Sequence, residues 1–254
     1  LFGNERAILL DTGATSDPAV FPLRATVDGL IQDWLAANPR SGGYELIVAH
    51  THGHGDHVAG DAQFEGRPAT TLVPGQAAEP VAEFFGFTSW PDQVVRFDLG
   101  GRVLDVTGIP GHHPASVAIF DPWTGFLLTG DSVYPGRLYA RDPAAFAESL
   151  DRLAAFAAER PVTHVLGCHI EMSRRAGWDY PVGTIYQPEE PDLQMTVAQL
   201  NAVRDAAAAA ASRPGVYNRG DFIIYSGPCR GAVLRQLARA AGRRLTGRDR
   251  PPKS

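Results

Sequence analysis

The chain has 254 residues, 44% hydrophobic and 20% charged, with a formal net charge of −5 and one lysine, Lys253. That composition suits a globular protein able to bury a sizeable core, and its acidity disfavours nucleic acid as main partner. No run nears the roughly 18 apolar residues of a membrane helix, so a small molecule is the expected partner and neither nucleic acid nor a membrane is, while the oligomeric state stays open.

In chain order, "LFGNERAILLDTG" reads as the end of one strand, a tight turn at Gly3–Asn4 and a second strand, Ala7–Asp11. Because the chain opens at Leu1 in mid-element, an upstream segment is expected, and with any signal peptide out of view the compartment is unassigned. Leu23–Ala37 has helical periodicity, with Val27, Leu30, Ile31 and Leu35 on its apolar face. Strands follow at Glu45–Ala49 and Ala69–Val73, then a helix at Ala77–Phe85. Gln93–Leu99 and Arg102–Gly108 form a hairpin about Gly100–Gly101. Ser116–Phe120 and Phe126–Thr129 flank the turn Asp121–Gly125. Pro143–Glu159 is a helix with proline in its first turn, and Val162–Gly167 is a strand. Asp179–Pro191 is a proline-punctuated loop, followed by the helix Thr196–Ser212, the strand Asp221–Tyr225 and the helix Gly231–Gly242. Nothing reads as a linker. Residues 1–242 are expected to form one domain, with 171–242 lining or covering a cleft and 243–254 a solvated basic tail. The two cysteines, Cys168 and Cys229, are too few for a disulfide framework.

Asp11, His52, His112, Asp131 and His169 all follow strands directly, where a rigid sheet end holds a side chain yet leaves it reachable. The stretch "THGHGDHVAG" concentrates His52, His54, Asp56 and His57 in a chain with eight histidines. Neutral imidazole binds zinc and iron well, and carboxylate offsets the cation's charge. Leaving a strand, one such loop can give two ligands to each of two adjacent metals, with Gly53 and Gly55 expected to permit its tight path. Four residues cannot complete two sites, and the missing ligands are sought at later strand ends: His112 in "IPGHHPAS", Asp131 in "LLTGDSVY" and His169 in "VLGCHIE".

With "LLDTG", "HGHGDH", "PGH", "TGD" and "GCH" in that order, the chain resembles the metallo-β-lactamase superfamily over roughly residues 7 to 170, with spacing like that of its glyoxalase II branch. The resemblance implies an α/β fold, a four-layered αβ/βα sandwich of two mixed sheets flanked by helices, whose first strands would lie upstream of Leu1. It implies that His52, His54 and His112 hold one metal and that Asp56, His57 and His169 hold a second, with Asp131 bridging. Two zinc ions are the expected cofactors, iron or manganese the alternatives. Asp11 would support the site from behind, and His50 would either orient a ligand or simply pack. His113 is expected beside the ligands or exposed, and His164 is structural. Cys168 is expected to be a small buried residue, because strand alternation would turn it away from His169.

Two metals sharing a hydroxide suit hydrolysis, with Asp56 orienting the nucleophile or taking its proton. Ester, thioester, lactone and lactam substrates all fit. A long-insert nuclease is excluded, since 37 residues separate Asp131 from His169, and the commonest zinc β-lactamases carry cysteine where Asp131 stands. Arg235 and Arg239 offer cations where glyoxalase II grips glutathione, without a matching motif. Tyr180 and Tyr186 could wall the cleft, as could Trp90 and Phe84–Phe87, for which ordinary packing is the simpler reading. The alternative from another class is a mononuclear iron persulfide dioxygenase, which needs two histidines and a carboxylate.

Overall fold

In the computed structural model, which describes residues 1–251, the chain doubles back at Gly3–Asn4 so that Phe2 bridges Ala7. Residues 252–254 of the expected basic tail lie outside the described residues. The chain divides into two compact units, Leu1–Gly125 and Phe126–Ser254.

In the first unit, β1 (Arg6–Leu10), β2 (Glu45–Ala49) and β3 (Thr70–Leu72) form a parallel sheet in that order, with Ile8 opposite Ile47 and Ile47 opposite Thr71. Parallel neighbours need a crossover, supplied by the helix α1 (Leu23–Ala37). Val27 and Ile31 of α1 join Ala7, Leu46, Val48 and Phe64 in one core, with Leu23 and Leu35 at its margin. Leu30, expected on that face, is 51% exposed. Neighbours four residues apart share the face that Val27 and Ile31 bury, and Leu30 falls on its flank. After the short α2 (Gly55–Val58) and α3 (Ala78–Phe85), β4 (Val94–Asp98), β5 (Val103–Gly108) and β6 (Val117–Asp121) pair antiparallel. Gly100 and Gly101 turn the hairpin with φ of 92° and 80°, a region L side chains avoid, and Asp98 accepts both of their N–H groups at 2.8 Å.

In the second unit, β7 (Phe126–Gly130) runs parallel to β9 (His164–Gly167), with α4 (Pro143–Ala158) in the connection. The sequence marks the start of α4 twice: Asp142 caps the Ala145 N–H and Pro143 occupies the first turn. α5 (Val197–Ser212) begins with a reciprocal cap between Thr196 and Gln199 and buries Leu200, Val203 and three alanines. A second sheet orders β10 (Gly215–Asn218), β11 (Ile223–Ser226) and β8 (Arg137–Ala140). β8 and β10 escaped the sequence reading: each is four residues long, and β8 opens on a buried arginine that reads as surface. α6 (Arg230–Leu245) extends past both expected ends, taking in Arg243, Arg244 and Leu245, and beyond it Asp249 is 3% exposed. Parallel and antiparallel strands interleaved with helices bear out the α/β class.

Candidate metal centre

The histidine-rich stretch leaves the end of β2, and the Val117 N–H at the start of β6 holds it by donating to the Thr51 carbonyl at 2.9 Å. His54 stands at the start of α2, which carries Asp56 in its first turn and His57 in its last. Gly53 is required by close approach, since a Cβ there would lie 2.4 Å from the Gly75 carbonyl oxygen. Gly55, also expected to be needed, is not: a Cβ there meets nothing within 4 Å and its φ is ordinary.

Three imidazoles converge in this unit. His52 Nε2 lies 2.8 Å and His112 Nε2 3.0 Å from the same atom, His54 Nδ1. The His52 tautomer follows from the far side of its ring. Thr51 Oγ1 donates its proton to Asp11 Oδ2 at 2.8 Å, so at 3.3 Å it can only accept from His52 Nδ1. That leaves His52 Nε2 as a lone-pair nitrogen in the neutral ring, aimed at His54. A single His54 nitrogen cannot satisfy two facing ring nitrogens with the protons that neutral imidazoles carry. Converging nitrogen lone pairs are what a borderline-soft divalent cation satisfies. The donor set therefore fits a metal held by His52 Nε2, His54 Nδ1 and His112 Nε2.

Asp11 organises a second group in the same unit. It sits at φ 64°, uncommon for a residue with a Cβ. Its carboxylate accepts the Thr51 N–H at 2.8 Å and meets His57 Nδ1 at 3.0 Å. With Nδ1–H spent on Asp11, His57 presents Nε2, 3.8 Å from the Asp56 carboxylate. One strained aspartate thus sets the tautomers of two histidines. His50 is fully buried, its ring nitrogens 3.9 Å from Asp11 and 3.3 Å from Asp61. His113 accepts the Ala115 N–H at 3.2 Å, with its ring centroid 5.0 Å from that of His54.

In the second unit the register of β7 on β9 sets Gly130 opposite Gly167, so Asp131 and His169 leave neighbouring strand ends. Their side chains meet at 3.3 Å, Nε2 to Oδ2, and Asp131 is 7% exposed. Cys168 is exposed rather than buried. β9 stops at Gly167, so strand alternation does not reach Cys168. His164 opens β9 and packs its ring edge-on to Phe126, a structural placement.

Behind His169 lies a charged layer that sequence reasoning missed. Tyr134 sets its ring 5.5 Å from the His169 ring and donates to the Arg137 carbonyl at 2.6 Å. Arg137, 3% exposed, pairs with Glu171 and Asp179 and donates to the Tyr180 carbonyl. Burial raises the Tyr134 hydroxyl well above its ordinary pKa, as do the nearby Glu171 and Asp131 carboxylates. Burial also raises Glu171, against the pull of Arg137. Asp179 goes the other way. Burial would lift it, but hydrogen bonds from Arg239, Gln236 and Arg137 and the charge of Arg239 bring it below the usual carboxylate range. The one signal in the sequence was Glu171 two positions after His169.

Tyr180 is buried, its hydroxyl accepting the Glu189 N–H at 2.8 Å. Tyr186 is half-buried and gives its carbonyl to Arg243. Phe84 and Phe85 pack on Phe97, and Phe87 meets Trp90 edge-on, as ordinary packing would have it.

Compared with known proteins, residues 1–169 match a family model described as the metallo-beta-lactamase superfamily. Among curated proteins, a hydroxyacylglutathione hydrolase of Synechococcus sp. is 29% identical over 176 residues, 65% of this chain and 64% of that one. A protein of the same description from Pseudomonas putida is 33% identical over 132 residues, 50% of this chain and 49% of that one. The chain thus spans about half to two thirds of the length of these relatives. Among solved structures, a metallo-beta-lactamase from Pontibacter korlensis superposes with a TM-score of 0.50 at 17% identity, covering 82% of this chain and 85% of that one. A stereoselective inverting sec-alkylsulfatase from Pseudomonas sp. reaches 0.50 at 15% identity, covering 81% and 38%. At these identities the two structures speak for the fold alone.

Proposed function

The chain belongs to the metallo-beta-lactamase superfamily, and on that premise we propose that it is a dinuclear metallo-hydrolase that cleaves acyl compounds, thioesters foremost. The observation that carries this is the convergence of His52 Nε2 and His112 Nε2 on His54 Nδ1, at 2.8 and 3.0 Å. We assign those three to the first metal. To the second we assign Asp56, His57 and His169, with Asp131 shared, on the order of the family motifs and on the 3.3 Å pairing of Asp131 with His169. Zinc is the metal we put first. When bound, the ions supply Lewis acidity and a water of lowered pKa.

The chain's own groups supply the rest. Asp11 fixes the His57 tautomer directly and that of His52 through Thr51, so both present Nε2. The Asp56 side chain, 47% exposed, can take or steer a proton from the attacking water. A mononuclear iron dioxygenase is the weaker reading: it calls for two histidines and a carboxylate, whereas three imidazoles converge here.

The thioester preference rests on the curated relatives, named for hydroxyacylglutathione hydrolysis. The test is a panel of acyl thioesters, esters, lactones and β-lactams with the metal-loaded protein. The thioester should lead the others in kcat/KM by at least about tenfold, the scale of one or two kcal/mol of differential transition-state binding. A lactam or lactone in front would overturn the thioester class, and no turnover of any member would overturn the hydrolase.

A further inference from the structure

The C-terminal helix carries an arrangement that hydrolysis does not use. α6 packs on its own unit through Ala232, Gln236 and Ala240, one residue per turn. The opposite pole faces solvent, where an ordinary surface helix is polar. Here it is apolar: Leu234, Leu237 and Leu245 are 66%, 52% and 88% exposed, with Val233 at their side.

Charge is segregated onto the same segment. Residues 230–250 hold seven arginines and one aspartate, whereas residues 1–229 hold 15 basic and 27 acidic side chains. The one acid, Asp249, is buried and accepts the Ile185 N–H. Arg239 is committed to Asp179, and Arg243 to the carbonyls of Tyr186 and Arg248. Arg230 and Arg235 pair with no carboxylate among the described residues, and Arg244 reaches Asp249 only at 3.8 Å. Beside the helix, Trp178 is 52% exposed, carries Arg175 over its ring at 4.1 Å, and lines one hollow with Val216 and Arg235.

We propose that this face is a peripheral docking surface for an anionic lipid bilayer. Leu234, Leu237 and Leu245 would enter the boundary between headgroups and acyl chains, with the flanking arginines on lipid phosphates. No helix among the described residues is long and apolar enough to cross a membrane, so this is contact along the surface, and it revises the sequence-based expectation of no membrane partner. A two-fold contact with a second copy through the same pole is disfavoured. It would bring two sets of arginines together without one acidic residue on either helix.

The test is co-sedimentation of the full chain with phosphatidylcholine vesicles, with and without phosphatidylglycerol. Binding is expected only to the anionic vesicles and should weaken as salt is raised. Leu234→Glu combined with Leu237→Glu should lower the partition coefficient at least about tenfold, and Arg230→Gln with Arg235→Gln at least about threefold. All four side chains are exposed, so an unchanged thermal midpoint is the control for both variants, and unchanged hydrolysis is the control for the leucine pair. Absence of binding, or equal binding to neutral vesicles, would overturn the proposal. So would a dimer in light scattering that Leu234→Glu dissociates, since the ridge would then belong to a second copy.

Discussion

Asp131→Ala and His57→Ala should each lower hydrolysis of the best substrate by about a thousandfold or more, while the metal-free protein unfolds near its normal midpoint. The loss is large because we assign both residues to the second metal, and without it the activation of water and the polarisation of the acyl group go together. The fold should tolerate both changes. Asp131 is a buried carboxylate whose partner, His169, is half-exposed and can turn to solvent. His57 meets Asp11, which keeps two hydrogen bonds from Thr51. Kinetics and thermal melts on the two variants, with metal content read alongside, check this. Near-normal activity in both would contradict the assignment.

Arg137→Met should be the most damaging substitution outside the metal ligands, destabilising the protein by about 3–5 kcal/mol, the usual cost of removing one partner from a buried ion pair. It strips the shared cation from Glu171 and Asp179, the latter 5% exposed at its side chain. The variant's stability should also depend less on pH in the acid range. A carboxylate with a depressed folded pKa contributes stability above its unfolded value, about 3.9 for aspartate, and loses it as pH falls through the folded value. Asp179 is such a group. Without Arg137 the depression shrinks, so the variant should lose less further stability than the parent as pH falls through this range. Urea melts at neutral and acid pH measure both effects. Arg137→Met combined with Glu171→Gln should recover part of the loss, because it removes one stranded charge.

The parts legible in the sequence are those in which a local rule and the tertiary structure agree. α1 and β2 lie where periodicity puts them, and Pro143 marks the start of α4 from side-chain chemistry alone. His52, His54 and His112 lie together, a grouping that the family resemblance implied and that the loop alone did not. What was not legible depends on partners far along the chain. Arg137 reads as a surface residue until Asp179 and Glu171 come to it. The close approach at Gly53 is set by Gly75, whereas Gly55, equally glycine in the motif, meets no such constraint. Cys168 was misplaced by continuing strand alternation one residue beyond the strand, and Leu30 by widening a helix face that tertiary packing keeps narrow.

The most direct measurement is elemental analysis of metal per chain, on protein purified without added metal and without a histidine tag. Two zinc ions per chain are predicted, falling to one or fewer in Asp131→Ala. One iron per chain, or no transition metal in a protein that still turns over its substrate, would contradict the dinuclear centre.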